Sequence, residues 1–320
     1  RQDLLPVEYF HVVFTVPEQL NLLARAHPEV FYNLLFQAAR ETLLEVAATP
    51  RHLGGQIGGL MVLHTWGQNL WLHPHIHTII PGGALSSDGQ WISCPRGFFL
   101  PVKVLSRVFR GKLLAFVQKA YDGGRLPMTG GQAHLAERPE FRRFLSPLYK
   151  IEWVVYAKPP IDGGPEKILK YLARYVNRVA ISNDRLESIE GGQVTFRYKD
   201  YAHGNRSRRM TLPAAEILER LALHIVPRGF VRVRAFGFLA NRHRADKLEL
   251  IRGLLQVPPP AEPAELSSEM PVEQPPRCPH CGQPGLRTVL RTSRPTVPEL
   301  VAATYPPETL HTSWPAARPT

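Results

Sequence analysis

Three histidines stand at alternate positions in LHPHIHTII, residues 72–80. Successive side chains of an extended strand point to opposite faces, so His73, His75 and His77 share one face. Leu70, Leu72, Pro74, Ile76 and Ile80 share the other and are expected in the core. Neutral imidazole is the commonest protein metal ligand. Two imidazoles at i, i+2 can chelate one ion from a single rigid strand, so three in register point to a metal or phosphate site. The alternative is a solvated cluster without chemistry. Pro74 has no amide hydrogen to give a ladder, which predicts a local bend or an unpaired edge there.

A second group lies in GPEKILKYLARYVNRV, which reads as a helix with Pro165 in its first turn. At about 100° per residue, Ile168, Leu169, Leu172, Val176 and Val179 form one face. Lys167, Lys170, Arg174 and Arg178 lie opposite. Tyr171 and Tyr175 fall on the border, one turn apart and side by side. Tyr171 is nearer the basic edge and Tyr175 nearer the apolar one. Aromatics at this spacing usually pack a core. A phenol among four cations also suits attack on a phosphodiester held by its phosphates.

The elements that must position these residues are legible in outline. Residues 7–16 alternate as a strand. Glu18 to Ala48 is helical, broken in two at His27-Pro28. IGGLMVLHT and LWLHPHIHTII read as two strands around the short turn Gly67-Gln68-Asn69. Residues 101–121 read as a helix and 151–157 as a strand. A hairpin runs from ISNDRL to VTFRYKDY, and helical stretches at 213–223 and 240–255 flank the strand FVRVRAF. From residue 257 a proline-rich linker leads to a tail at 278–320. The expected core is therefore one α+β domain, residues 1–256.

The chain has 320 residues, 44% of them hydrophobic, which excludes a disordered protein. No apolar run approaches the roughly 18–20 residues that span a bilayer, so no membrane partner is expected. Three cysteines give no disulfide framework, which suits a reducing cytosol. The net charge of +12 favours a polyanionic partner, most simply nucleic acid. RYKDYAHGNRSRRM sets Arg197, Lys199, Arg206, Arg208 and Arg209 around Tyr198, Tyr201 and His203. Interleaved cations and rings suit single-stranded DNA; a basic hairpin with a half-buried aromatic face is the plain alternative. NRHRADK, residues 241–247, adds a second cationic patch or a solvated helix face.

His75-Ile76-His77, followed by a helix bearing Tyr-x-x-x-Tyr, resembles the signature of HUH single-strand endonucleases. The wider wording is similar to the two-tyrosine, rolling-circle transposases of bacterial insertion sequences. The matching segments are YFHVVFTVPEQL, LHPHIHTIIPGG, KYLARYVNRVAISNDRL, YKDYAHGN and GFVRVRAFGFLANRHR, from about Tyr9 to Arg244. The resemblance implies an α+β HUH endonuclease fold, with a central, mainly antiparallel sheet of ferredoxin-like or RNA-recognition-like plan. It implies that His75 and His77 hold Mg²⁺ or Mn²⁺, with Gln68 or His73 completing the ligands. Tyr171 or Tyr175 would attack, leaving a 5′-phosphotyrosine and a free 3′-OH, and His73 is a candidate for the base. Lys167, Lys170, Arg174, Arg178, Arg206, Arg208 and Arg209 would hold the DNA. Cytoplasmic work at the nucleoid, on the single-stranded ends of an element and its target, follows from the same likeness.

Two other readings stand beside this one. His-x-His-x-His followed by apolar residues also resembles the histidine-triad nucleotide hydrolases, although those are small domains with the motif near the C-terminal end. A basic, inactive DNA-binding remnant is the other. In the transposases a cysteine-rich zinc-binding region normally precedes the catalytic domain. The chain starts at Arg1 without it, so upstream material is expected. Cys278-Pro-His280-Cys281 has the spacing of half a zinc site, and no second pair follows.

Overall fold

The computed structural model describes residues 4–161, 165–176, 180–201, 204–240, 242 and 244–257. The expected linker beyond residue 257, the Cys278–Cys281 pair, Arg178, Val179, His203, Asn241 and His243 lie outside them.

Strand β1 is Tyr9–Thr15, followed by a 3₁₀ turn, Glu18–Leu20, and helices α1, Asn21–Ala26, and α2, Pro28–Ala48. The break falls at His27-Pro28, where proline opens α2 at a position that needs no amide hydrogen. Strands β2, Gly58–Trp66, and β3, Leu72–Pro81, form the expected hairpin. A short hairpin of β4, Gly83–Leu85, and β5, Trp91–Ser93, precedes α3, Val102–Asp122, and α4, Arg138–Leu145. Then come β6, Val155–Ala157, and α5, Pro165–Val176. Strands β7, Leu186–Glu190, β8, Gln193–Asp200, and β9, Arg206–Pro213, lead to α6, Ala214–Ala222. Strand β10, Val233–Gly237, and α7, Arg244–Leu254, complete the series.

Five strands make the central sheet in the order β10-β2-β3-β1-β6. Every pairing in it is antiparallel, so the chain has the expected mixed α+β architecture. One sheet face buries Phe10, Val12, Phe14, Leu63, Ile76 and Ile80 in a core shared with α2 and α3. Phe14 meets Phe109 of α3 at 4.9 Å between ring centres. Each such side chain contributes about 1.5–3 kcal/mol by leaving water. The face that carries the histidines is thereby fixed as the opposite one. On it, Ile168 and Tyr171 of α5 pack against Tyr9 and Ile79.

Strands β7, β8 and β9 form a separate three-stranded sheet whose small core contains Val194, Phe196 and Ile217 of α6. Leu70 belongs to this core, not to the core face of β3 where the alternation put it. It sits in the turn before β3 with φ of 65°, which takes it out of the strand's alternation. Pro74 lies in an inner strand, not at an edge. Pairing with β1 ends at Thr15↔His75, and the β2 register shifts between His64 and Trp66, so Pro74 falls where the ladder is irregular.

Residues 151–157 were expected as one strand, but only Val155–Ala157 pairs. The carbonyl of Ile151 accepts from Arg110 at 2.6 Å and that of Trp153 from Ser106 at 2.6 Å. Helix α3 thus takes acceptors that a ladder would need. The third strand, β9, of the basic hairpin region has no counterpart in the sequence reading.

Gly237 has φ of 62°, and a Cβ there would lie 1.7 Å from the Ile57 carbonyl oxygen. Gly237→Ala should therefore cost at least about 2 kcal/mol, through left-handed strain and a backbone clash beside β2. Urea denaturation of the two proteins measures it, and an unchanged midpoint would contradict the register given for β10.

Candidate active site

In an antiparallel pair, residues directly opposite one another share a face. Val13 of β1 faces His77 of β3, and His64 of β2 faces His75. His11 and His64 therefore join the histidine face of β3. The ligand atoms of His64, His75 and His77 all lie within 4.8 Å of one another. Three nitrogens converging from two adjacent inner strands suit one metal ion, and the backbone ladder fixes their spacing.

Hydrogen bonds select the nitrogen that His75 and His77 present. Nδ1 of His75 lies 2.6 Å from the carbonyl oxygen of His73, which can only accept, so Nδ1 carries the proton and Nε2 the lone pair. Nδ1 of His77 is 2.7 Å from Nε2 of His11, which leaves Nε2 of His77 as its ligating nitrogen. Outer hydrogen bonds of this kind orient ligating imidazoles. His64 is 1% exposed and stacks on Trp66 at 4.7 Å.

The third imidazole of this group is His64, in place of His73. His73 holds His75 through its backbone, and burial lowers the pKa of its own ring. Gln68 lines the same cavity. Its carbonyl accepts from Arg185, which fixes its backbone in the turn. Neither His64 nor His11 was singled out from the sequence. Each is a lone histidine in an apolar strand, and the signal that could have found them is the strand register.

Tyr171 is half-buried and reaches the sheet. Its hydroxyl oxygen lies 2.7 Å from Nδ1 of His11, with the rings edge-on at 5.5 Å. A continuous line therefore runs from Tyr171 through His11 to His77. Burial, then Lys158, then His64 lower the His11 pKa to about 3, so His11 stays neutral at physiological pH. A neutral imidazole has one N–H and one lone pair, and can pass hydrogen-bond polarity from one neighbour to the other. The Lys158 ammonium also stands 5.9 Å from the centre of the Tyr171 ring. The structure places the Tyr171 hydroxyl against His11, not against His73. Tyr175 lies one turn further along α5, and its side chain, like that of Arg174, is outside the described residues.

The histidines open into a cavity of about 810 Å³ bounded by the β2–β3 turn, by Asn21 and Arg25 of α1, and by Tyr198, Lys199, Asp200 and Tyr201. Its floor is rigid. The carbonyls of Gln68, Asn69 and Leu70 accept in turn from Arg185, Arg220 and His224. Lys167 and Lys170 are exposed on α5, and Arg206, Arg208 and Arg209 on β9. Arg208 pairs with Asp200 at 3.0 Å and Arg209 with Glu187 at 2.7 Å. Such exposed pairs are weak, and a phosphate can displace them.

A family model described as Putative transposase (Y2_Tnp) matches residues 58–247, more than half of the chain. A Sinorhizobium fredii protein named Putative transposase y4qJ is 54% identical over 82% of this chain and 66% of its own length. The transposase for insertion sequence element IS801 of Pseudomonas savastanoi pv. phaseolicola is 28% identical over 80% of this chain and 60% of its own. This chain thus spans less than two thirds of either relative. A solved structure of the conjugative relaxase TrwC with oriT DNA, in its metal-free form, aligns with 76% of this chain and 71% of that one. The identity is 14% and the TM-score 0.27.

The geometry predicts which histidine matters for metal. His64→Ala, His75→Ala and His77→Ala should each weaken Mn²⁺ binding by more than roughly 100-fold, since loss of an outer partner alone costs 10–100-fold. His73→Ala, which keeps the backbone carbonyl, should retain nearly all the affinity. Titration of free Mn²⁺ by electron paramagnetic resonance separates the variants. Equal losses for His64→Ala and His73→Ala would contradict the assignment.

Proposed function

The chain belongs to the Y2_Tnp transposase family, and we propose that it nicks and rejoins single-stranded DNA in transposition, with Tyr171 as nucleophile beside a metal held by His64, His75 and His77. The observation that carries this reading is the hydrogen-bonded line from Tyr171 through His11 to His77. It joins a group able to form a phosphotyrosine to the histidine cluster able to hold an ion.

The residues fit an ion, because three imidazole nitrogens converge and the His73 carbonyl fixes the tautomer of His75. Three imidazoles suit a transition-metal ion better than Mg²⁺, which takes oxygen ligands. Of the two ions expected, Mn²⁺ is the better match. When bound, it would draw charge from the non-bridging oxygens of the scissile phosphate.

The chain's own groups then have defined work. His77 would hold the ion through Nε2, and would then keep its proton on Nδ1 and donate a hydrogen bond to Nε2 of His11. Neutral His11 carries its proton on Nδ1 and donates it to the Tyr171 oxygen. That oxygen thus receives a hydrogen bond as it loses its own proton to solvent, which stabilises the phenolate that attacks. A bond forms from Tyr171 to phosphorus as the bond from phosphorus to the 3′ oxygen breaks. The 3′ oxygen leaves with the bonding electrons and takes up a proton from solvent, so the products are a 5′-phosphotyrosine and a 3′-OH. Reversal with a second 3′-OH rejoins the strand without a nucleotide cofactor. Tyr175, one turn away on the same helix, would serve a second strand.

Lys167, Lys170, Arg206, Arg208 and Arg209 would hold the strand, and the sequence reading adds Arg174 and Arg178 to them. The net charge of +12 supports a polyanionic partner. Among the described residues no helix is long and apolar enough to cross a membrane. Work in the cytoplasm at the nucleoid follows from the reading and is part of the proposal.

With saturating Mn²⁺ and labelled single-stranded oligonucleotides carrying the ends of its element, the protein should form a covalent adduct on denaturing gels. Tyr171→Phe should lose the first cleavage. His11→Ala should slow it roughly 100-fold, the usual worth of one oriented donor at a developing charge. An adduct that survives Tyr171→Phe and Tyr175→Phe together would refute the tyrosine mechanism. Nucleotide hydrolysis without an adduct would favour the histidine-triad reading. Metal and DNA binding without cleavage would favour the inactive one.

A further inference from the structure

Beyond the cleavage chemistry, we infer that Trp71 is a stacking platform for one unpaired nucleobase of the strand whose phosphate lies at the histidine cluster. The inference rests on the reading above and adds a binding site to it.

Trp71 is 51% exposed although it stands at the end of a rigid turn. Its amide donates to Oδ1 of Asn69 at 3.3 Å, and its carbonyl accepts from the Gly67 amide at 2.9 Å. The Arg220 guanidinium lies 4.2 Å from the centre of the indole. Arg220 is itself 6% exposed and cannot swing away. It bonds to Glu216 and to the Asn69 carbonyl, the latter at 2.8 Å. One indole face is thus taken by a fixed cation, and Trp71 lines the cavity that holds the histidines. A ring held in advance pays little entropy on stacking, and the guanidinium behind it adds to its attraction for a π-system.

Position identifies the ligand. Trp71 precedes His75 by four residues, which at roughly 3.3 Å each puts it on the order of 13 Å from the cluster. A strand with its scissile phosphate at the cluster must send neighbouring nucleotides past this turn. Tyr201, 63% exposed, borders the same cavity and offers a second ring. Base faces are hidden in a duplex, so the ligand is a base in single-stranded or extruded DNA. Stacking on one ring tolerates any base. The site therefore sets the path of the strand and not its sequence.

The test uses the full chain and oligothymidylate carrying one 5-iodouracil, moved from position to position. Near-ultraviolet cross-linking followed by peptide mapping should join the base at one or two positions to Trp71. Trp71→Ala should weaken oligothymidylate binding roughly 5- to 150-fold, the worth of one stacked base, and Trp71→Tyr should recover most of it. Mn²⁺ affinity should not change in either variant. Cross-links that map elsewhere, or Trp71→Ala binding as tightly as the unaltered chain, would overturn the platform while leaving the cleavage reading intact. Failure of the unaltered chain to bind any single strand would overturn both. The cross-link is made by the unaltered protein and does not depend on a variant that folds.

Discussion

The antiparallel pairing of β2 with β3 is the constraint on which the site depends. Its register sets His64 against His75 and Val62 against His77. Because opposite residues share a face, the same ladder that holds the sheet together brings three imidazoles to one point. A slip of one residue would turn the β3 histidines into the core of α2 and α3, at the cost of burying imidazoles among phenyl rings. The geometry of the histidine cluster and the stability of the fold are thus two readings of one hydrogen-bond pattern.

The sheet divides labour between its faces. The face against α2 and α3 is dry and supplies the apolar burial. The other carries buried polar side chains: His11, His64 and His77 are each under a tenth exposed. Buried polar groups need partners, and His11 finds them in His77 and Tyr171. The His11 pKa, about 3, follows from this setting. An imidazole that cannot charge keeps a single proton, whose place can report the state of the histidine on its other side.

A second constraint ties the small three-stranded sheet to the cavity. Leu70 fills its core, while Arg185, Arg220 and His224 clamp three successive carbonyls of the β2–β3 turn. The turn is therefore held from outside the central sheet. What lines the cavity, from Gln68 to Trp71, takes its position from both sheets together.

The sequence by itself determined the α+β class and most element boundaries in the first half, and its resemblance to the two-tyrosine transposases implied one centre for His75, His77 and either Tyr171 or Tyr175. Alternation and helical spacing are local, and the HUH and Tyr-x-x-x-Tyr wording sits within single elements. It did not determine the third imidazole or the partner of the phenol. The expected hairpin lays His64 beside the β3 histidines, but its turn does not fix the register, which shifts between His64 and Trp66; His11 is separated from them by two helices, and only the strand register brings it in. The local rule instead pointed to His73 and Gln68, near in sequence to His75. Leu70 shows the same limit from the other side: alternation assigned it to one core, and a left-handed turn residue delivered it to another. Periodicity fixes which way a side chain points within its element. What it meets there is decided by the element laid alongside, and that is a property of the tertiary structure alone.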